Sequence, residues 1–254
     1  MKILILFMVS FGSLLANNAQ EIVNKALNVA YYQGKHYKSH SKLLIVDSLK
    51  RERIREASIL RSNTENGNQK YYVYFKKPKE MKKMVFMAWK NLDKADDRWL
   101  YLPALDLVKR IAASDDRTSF VGSNFYYEDV SGRGATEDTH MLIDETEVFY
   151  IIKSTPKNKE SVEFSYFKSY IDKDTFLPIK IDYFNDKEKL YRTFEIKQTQ
   201  IVQGYLSITK TRMTDVSSGA YSVATYDSIE YLDSLKSKIY TERYLRKPPK
   251  KYLK

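Results

Sequence analysis

The sequence predicts a mainly β chain with a few helices (an α+β protein), built on one curled antiparallel sheet of about ten or eleven strands. Runs rich in Tyr, Phe, Val, Ile and Thr recur roughly every 10–15 residues from Leu43 to Tyr231, with turn residues between them, as a meander requires. Some runs alternate strictly: Val162, Phe164 and Tyr166 stand opposite Glu163 and Ser165, and Ile179, Ile181 and Tyr183 opposite Lys180 and Asp182. Such a strand has one wet face. The runs at Tyr71, Met84, Trp99 and Val148 are apolar on both faces and need cover on both. A sheet this wide curls, and the curl encloses an apolar concavity.

Taken in order, Met1-Lys2, the apolar run Ile3–Leu15 and the small residues Ala16 and Ala19 form a secretory leader over residues 1–19, cleaved after Ala16 or Ala19. The apolar run is too short to span a bilayer as a helix. Residues 20–254 are expected to form a single domain. From Gln20 to about Tyr32, the spacing of Ile22, Val23, Ala26, Leu27 and Ala30 predicts an amphipathic helix. The strands follow, with Leu107–Ile111 returning on Trp99–Leu102 after Pro103. The stretch Ala112–Asp144 reads as irregular. Within it, Ser119–Gly134 carries Phe120, Phe125, Tyr126 and Tyr127 among glycines. Four aromatics off a strand need an apolar surface, so this segment reads as a flap over the concave face. A short C-terminal helix is expected from Asp233-Ser234, carrying Leu235, Ile239 and Tyr240 and ended by Pro248-Pro249, with a basic tail beyond.

Composition excludes several functions. The chain has 254 residues, no Cys, three His and a net charge of +11. Without Cys there are no disulfides, no thiolate metal sites and no lipid attachment behind the leader. No nucleophile elbow, phosphate-binding loop, dinucleotide fingerprint or zinc-protease motif occurs. His36 and His40 have metal-clamp spacing, but their flanks read as a solvated loop and nothing completes the set. His140 reads as a surface residue, and the doublets Asp96-Asp97 and Asp115-Asp116 as turn residues. A hydrolase using Asp115, Asp116 or His140 as base lacks an assignable nucleophile. Acids interleave with the basic residues, so nucleic acid is not expected as a partner, and the positive charge suits anionic lipid headgroups better. No catalysis, metal or cofactor is expected.

The segments Trp99–Leu105 (WLYLPAL), Lys109–Ile111 (KRI) and Gly122–Asp129 (GSNFYYED) resemble the LolA-like outer-membrane lipoprotein-sorting proteins. Ile239–Leu245 and Tyr74–Pro78 also fit that pattern. The resemblance implies an incomplete barrel wrapped round helices and a periplasmic home. It also implies a cavity for the acyl chains of a lipid or lipoprotein, moved between inner and outer membrane. The implied partners are an inner-membrane lipid or lipoprotein exporter and an outer-membrane acceptor, with the carrier itself a monomer. The alternative is a periplasmic sensor or adaptor that binds a partner protein or a lipid-exporting transporter. The expected cavity and flap residues are Met84, Phe86, Trp89, Trp99, Tyr101, Phe120, Phe125, Tyr126 and Tyr127, with Met81 and Met87 as adaptable lining.

Overall fold

The computed structural model describes residues 18–112, 115 and 117–253. The expected leader lies outside them except for Asn18 and Ala19, which begin a helix, α1, over residues 18–27. A π-turn, Asn28–Tyr32, continues it. The chain then lays down β1 (His36–Val46), β2 (Glu52–Asn63), β3 (Gln69–Lys77), β4 (Val85–Lys90), β5 (Asp97–Leu102) and β6 (Leu107–Ile111). A crossover carries α2 (Tyr127–Ser131). The second series is β7 (Asp138–Glu145), β8 (Phe149–Pro156), β9 (Tyr166–Asp172), β10 (Pro178–Phe184), β11 (Leu190–Val202), β12 (Tyr205–Asp215) and β13 (Tyr221–Leu232). α3 (Glu242–Arg246) lies near the end.

All thirteen strands form one antiparallel sheet in the order β6-β5-β4-β3-β2-β1-β13-β12-β11-β10-β9-β8-β7. The chain enters at the centre, meanders out to one edge, crosses to the opposite edge and meanders back to pair β13 with β1, Ser41 opposite Tyr226. β6 and β7 remain unpaired with each other, so the barrel is incomplete. This order forces the crossover, residues 112–137, to run from one edge of the sheet to the other. A connection of that reach must lie across the open side. That is why the aromatics of the flap sit over the concavity.

Thirteen strands replace the ten or eleven expected. The irregular stretch ends at Glu137, not Asp144, because β7 follows. Its inward positions include Asp138 and His140, satisfied by Arg133 and Ser154, so no apolar run marked it. The charges exposed along it suit an edge strand. The strand expected from Val162 starts only at Tyr166; Glu163 is instead bonded to Arg117 and Phe164 is buried. His36 and His40 lie on β1, not in a loop. The C-terminal helix breaks into a 3-10 turn, Ser237–Tyr240, and α3. The tail folds back: Leu253 is buried and its carbonyl accepts the Ser58 hydroxyl at 3.2 Å.

Alternation sorts the strands into two apolar clusters. Tyr71, Val73 and Phe75 of β3, and Phe86 and Ala88 of β4, face the concave side with Met84. Tyr72 of β3, and Val85 and Met87 of β4, face the convex side. There Leu235, Ile239, Tyr240, Leu245 and Leu253 cover them. A third cluster packs Ala19, Ile22 and Ala26 of α1 on Ile152 and Ile171.

Candidate functional site

The concave side holds an apolar cavity of about 190 Å³. Leu43, Ala57, Ile59 and Val73 form its floor, Phe120, Phe125 and Val130 of the flap its roof, and Val29, Ala30 and Tyr31 one wall. A smaller space of about 90 Å³ lies between α1 and the second series of strands, sharing Ala30, Tyr31, Asp129 and Phe194 with the first. On the other side of Tyr31 is a polar chamber of about 650 Å³, between α1, the β4–β5 connection and residues 131–137. Tyr31 lines all three spaces.

Partly buried hydrogen bonds fix Tyr31. Its carbonyl accepts from Arg61 and from the Gln69 side chain at 2.8 Å, and Arg61 also donates to the Gln33 and Gly34 carbonyls. Its ring lies against Gly132, where a Cβ would stand 2.8 Å from the ring's Cζ.

Ion pairs hold the flap down. Glu128 pairs with Arg117 and, at 2.8 Å, with Arg133; Arg133 also reaches Asp138 at 2.8 Å. Asp129 pairs with Arg192 and accepts the Tyr126 backbone N–H at 2.6 Å. Burial opposes the charged form of Glu128, but Arg117 and Arg133 outweigh it and leave its carboxyl below the usual glutamate range. Glu163 is held low in the same way, with burial opposed by Arg117 and the Tyr191 hydroxyl.

The nine expected residues divide. Phe120 and Phe125 line the apolar cavity. Met84 and Phe86 lie beside them in the concave cluster; Phe86, Phe120 and Tyr127 meet pairwise at ring-centroid distances of 5.4–5.5 Å. Tyr126 turns away, its ring 3.9 Å from the Arg192 guanidinium and 4.9 Å from that of Arg117. Trp89, Trp99 and Tyr101 belong to the convex cluster, with the Trp89 indole donating to the Tyr240 carbonyl at 3.1 Å. Met87 lies there too, whereas Met81 packs on the concave side.

Sequence reading missed Tyr31, Arg61, Phe194, Ile208 and Tyr226. Tyr31 lies in the turn after α1, where the helical pattern did not mark it as lining; the strands of the other four were found, but which face of each strand is inward depends on the order of pairing.

The other candidates are structural. His140 is buried, with Nε2 2.8 Å from the Ala135 carbonyl and Nδ1 2.8 Å from the Ser154 hydroxyl. A carbonyl only accepts, so Nε2 carries the proton and Nδ1 accepts from Ser154. His36 is buried against Ser62, and burial lowers its pKa. Among the described residues no group of three or more His, Cys, Asp or Glu is placed to hold a metal.

A family model described as that of an uncharacterized protein matches residues 67–247, more than half of the chain. The chain belongs to that family. No curated protein matches it. Among solved structures it is similar to a DUF1329 family protein from Desulfovibrio piger, at 22% identity and TM-score 0.83 over 91% of this chain and 99% of that one. It is similar to a domain from Vibrio parahaemolyticus assigned to outer membrane lipoprotein-sorting proteins, at 20% identity and TM-score 0.82 over 91% and 99%. A LolA superfamily protein from Nitrosomonas europaea follows at 18% identity and TM-score 0.70 over 89% and 98%. The chain therefore has the LolA-type fold that the resemblance implied. No helix among the described residues is long and apolar enough to cross a membrane.

Proposed function

We propose that this protein is a periplasmic carrier, not an enzyme, that binds acyl chains of a lipid or lipoprotein in the concave cavity and moves them between the inner and outer membranes. The supporting observation is an apolar cavity of about 190 Å³ bounded by the sheet, the flap and the turn after α1. Each buried CH₂ contributes about 0.8 kcal/mol, so one chain is held firmly in water. At about 190 Å³ the cavity is smaller than the roughly 300–1,000 Å³ of typical ligand sites, so loading a whole chain requires α1 or the flap to move outward. The fold shared with lipoprotein-sorting domains agrees with this reading. On it, the partners are an inner-membrane exporter and an outer-membrane acceptor.

The test is uptake of a fluorescent fatty acid by the purified protein. Ala57 lies on the cavity floor. Ala57→Phe fills that space and lowers affinity by about tenfold or more, as loss of two or more buried CH₂ groups would. Undiminished uptake by a folded Ala57→Phe protein contradicts the reading.

A further inference from the structure

The polar chamber has walls in common with the apolar cavities, yet its chemistry differs. Its walls carry five ammonium or guanidinium groups against three carboxylates, Asp96, Glu128 and Glu137. Glu128 is already shared between Arg117 and Arg133. Lys90, on β4, stands apart. Its ammonium is buried and donates to the carbonyls of Ser131, at 3.1 Å, and of Gly132. None of the described carboxylates forms an ion pair with it. Ser131 lines the same chamber, and its hydroxyl is buried without a hydrogen-bond partner. Asp96, Glu128 and Glu137 act on Lys90 through space but none pairs with it directly, so a buried ammonium beside an unused hydroxyl still gains from an anion that bonds to both.

We propose that this chamber binds the phosphate headgroup of an anionic amphiphile whose chain occupies the neighbouring apolar cavity, with Lys90 as the buried cation and Tyr31 between head and chain. This deepens the carrier reading and rests on it. About 650 Å³ is ample for a phosphate with its glycerol and larger than a carboxylate needs. Lys90 retains one N–H for the phosphate beyond its two carbonyl partners, and the Ser131 hydroxyl supplies another donor. Lys94, exposed at the chamber wall and paired with Asp97 at 3.2 Å, stands where the headgroup enters and can exchange that exposed pair for the phosphate.

The experiment compares two ligands with the same oleoyl chain, lysophosphatidic acid and monooleoylglycerol, which differ by the phosphate alone. The wild-type protein binds the phosphate-bearing ligand about tenfold or more tightly, as a charge-assisted bond to a buried cation implies. Lys90→Met brings the affinity ratio toward one. Lys94→Glu, a surface change that leaves Lys90 in place, reduces the same ratio and keeps the test decisive if Lys90→Met does not fold. Equal affinity for both ligands in the wild type overturns the headgroup site and leaves the carrier reading standing. So does a ratio unchanged in Lys94→Glu and in any folded Lys90→Met. Binding of neither ligand overturns the carrier reading itself. Inorganic phosphate is the third probe: the amphiphile proposal expects no saturable binding at millimolar concentration. Tight binding of inorganic phosphate without any of monooleoylglycerol overturns it in favour of a free-phosphate site.

Discussion

Gly132 and Gly122 both have positive φ, 76° and 78°, yet they serve different ends. Nothing lies within 4 Å of a Cβ built at Gly122, whereas one at Gly132 runs into the Tyr31 ring. Gly122→Ala is therefore expected to cost about 1 kcal/mol from backbone conformation alone. Gly132→Ala adds displacement of Tyr31 and costs about 2–4 kcal/mol. Chemical denaturation of the two variants measures the difference, and equal costs would show that Tyr31 is free to shift. Gly122 thus serves a turn and Gly132 a close approach. A related contrast concerns Trp99, which is packed against Trp89 at 5.2 Å on the convex side. Trp99→Ala is expected to cost about 2–4 kcal/mol of stability and leave fatty-acid affinity unchanged. Loss of affinity in a folded variant would place Trp99 at the site after all. The sequence marked Trp99 and Phe125 alike as residues that need an apolar surface, but not that the sheet separates them, with Phe125 buried on one side and Trp99 partly buried on the other.

At the scale of elements, α2 in the flap is strongly tied by ion pairs and α1 is not. Five residues cannot sustain a helix alone. α2 persists through Glu128 and Asp129, bonded to Arg117, Arg133 and Arg192. α1 packs through apolar side chains on Ile152 and Ile171, with Lys25 5.1 Å from the Phe176 ring centroid, while the turn after it is clamped by Arg61 and Gln69. Hydrogen exchange in residues 18–27 is therefore expected to slow more on fatty-acid binding than exchange in Tyr127–Ser131. The reverse order would make α2 the moving part. The same ion pairs set an acid limit. The carboxyls of Glu128 and Glu163 lie below the ordinary glutamate value of 4.5 in the folded protein, so the unfolded chain binds more protons below that pH. Their contribution is complete above 4.5 and is lost as the pH falls through their folded values. Melting temperatures followed from pH 6 to 3 should drop in that window, and less steeply in Glu128→Gln. Identical slopes would mean that the network does not set the limit. The amphipathic pattern of α1 was legible in the sequence. The ion pairs were not, because Arg117 meets Glu163 and Asp129 meets Arg192 only after the crossover has brought distant segments together.

For the whole molecule, the decisive feature is the strand order: both meanders meet at the centre of the sheet, so their connection must cross the open face. Alternation and turn residues made the antiparallel meander readable, and the width of the sheet made the curl readable. The edge strand β7 escaped because polar partners, not apolar side chains, satisfy its inward residues Asp138 and His140. On the convex side the C-terminal segment with Leu235, Ile239 and Tyr240 was expected as a cover, whereas Leu253 in a basic tail gave no sign that it returns to β2. A half-barrel with one face sealed by its own C-terminus and the other hollow implies that any acyl chain lies on the hollow side. A fatty acid carrying a photoreactive diazirine in its chain tests this most directly, with crosslinked residues mapped by mass spectrometry. The account predicts saturable labelling of Ala30, Tyr31, Phe120, Phe125 and Phe194, lost on competition with unlabelled fatty acid. Labelling confined to the convex side, at Trp89, Trp99 and Tyr244, would contradict it.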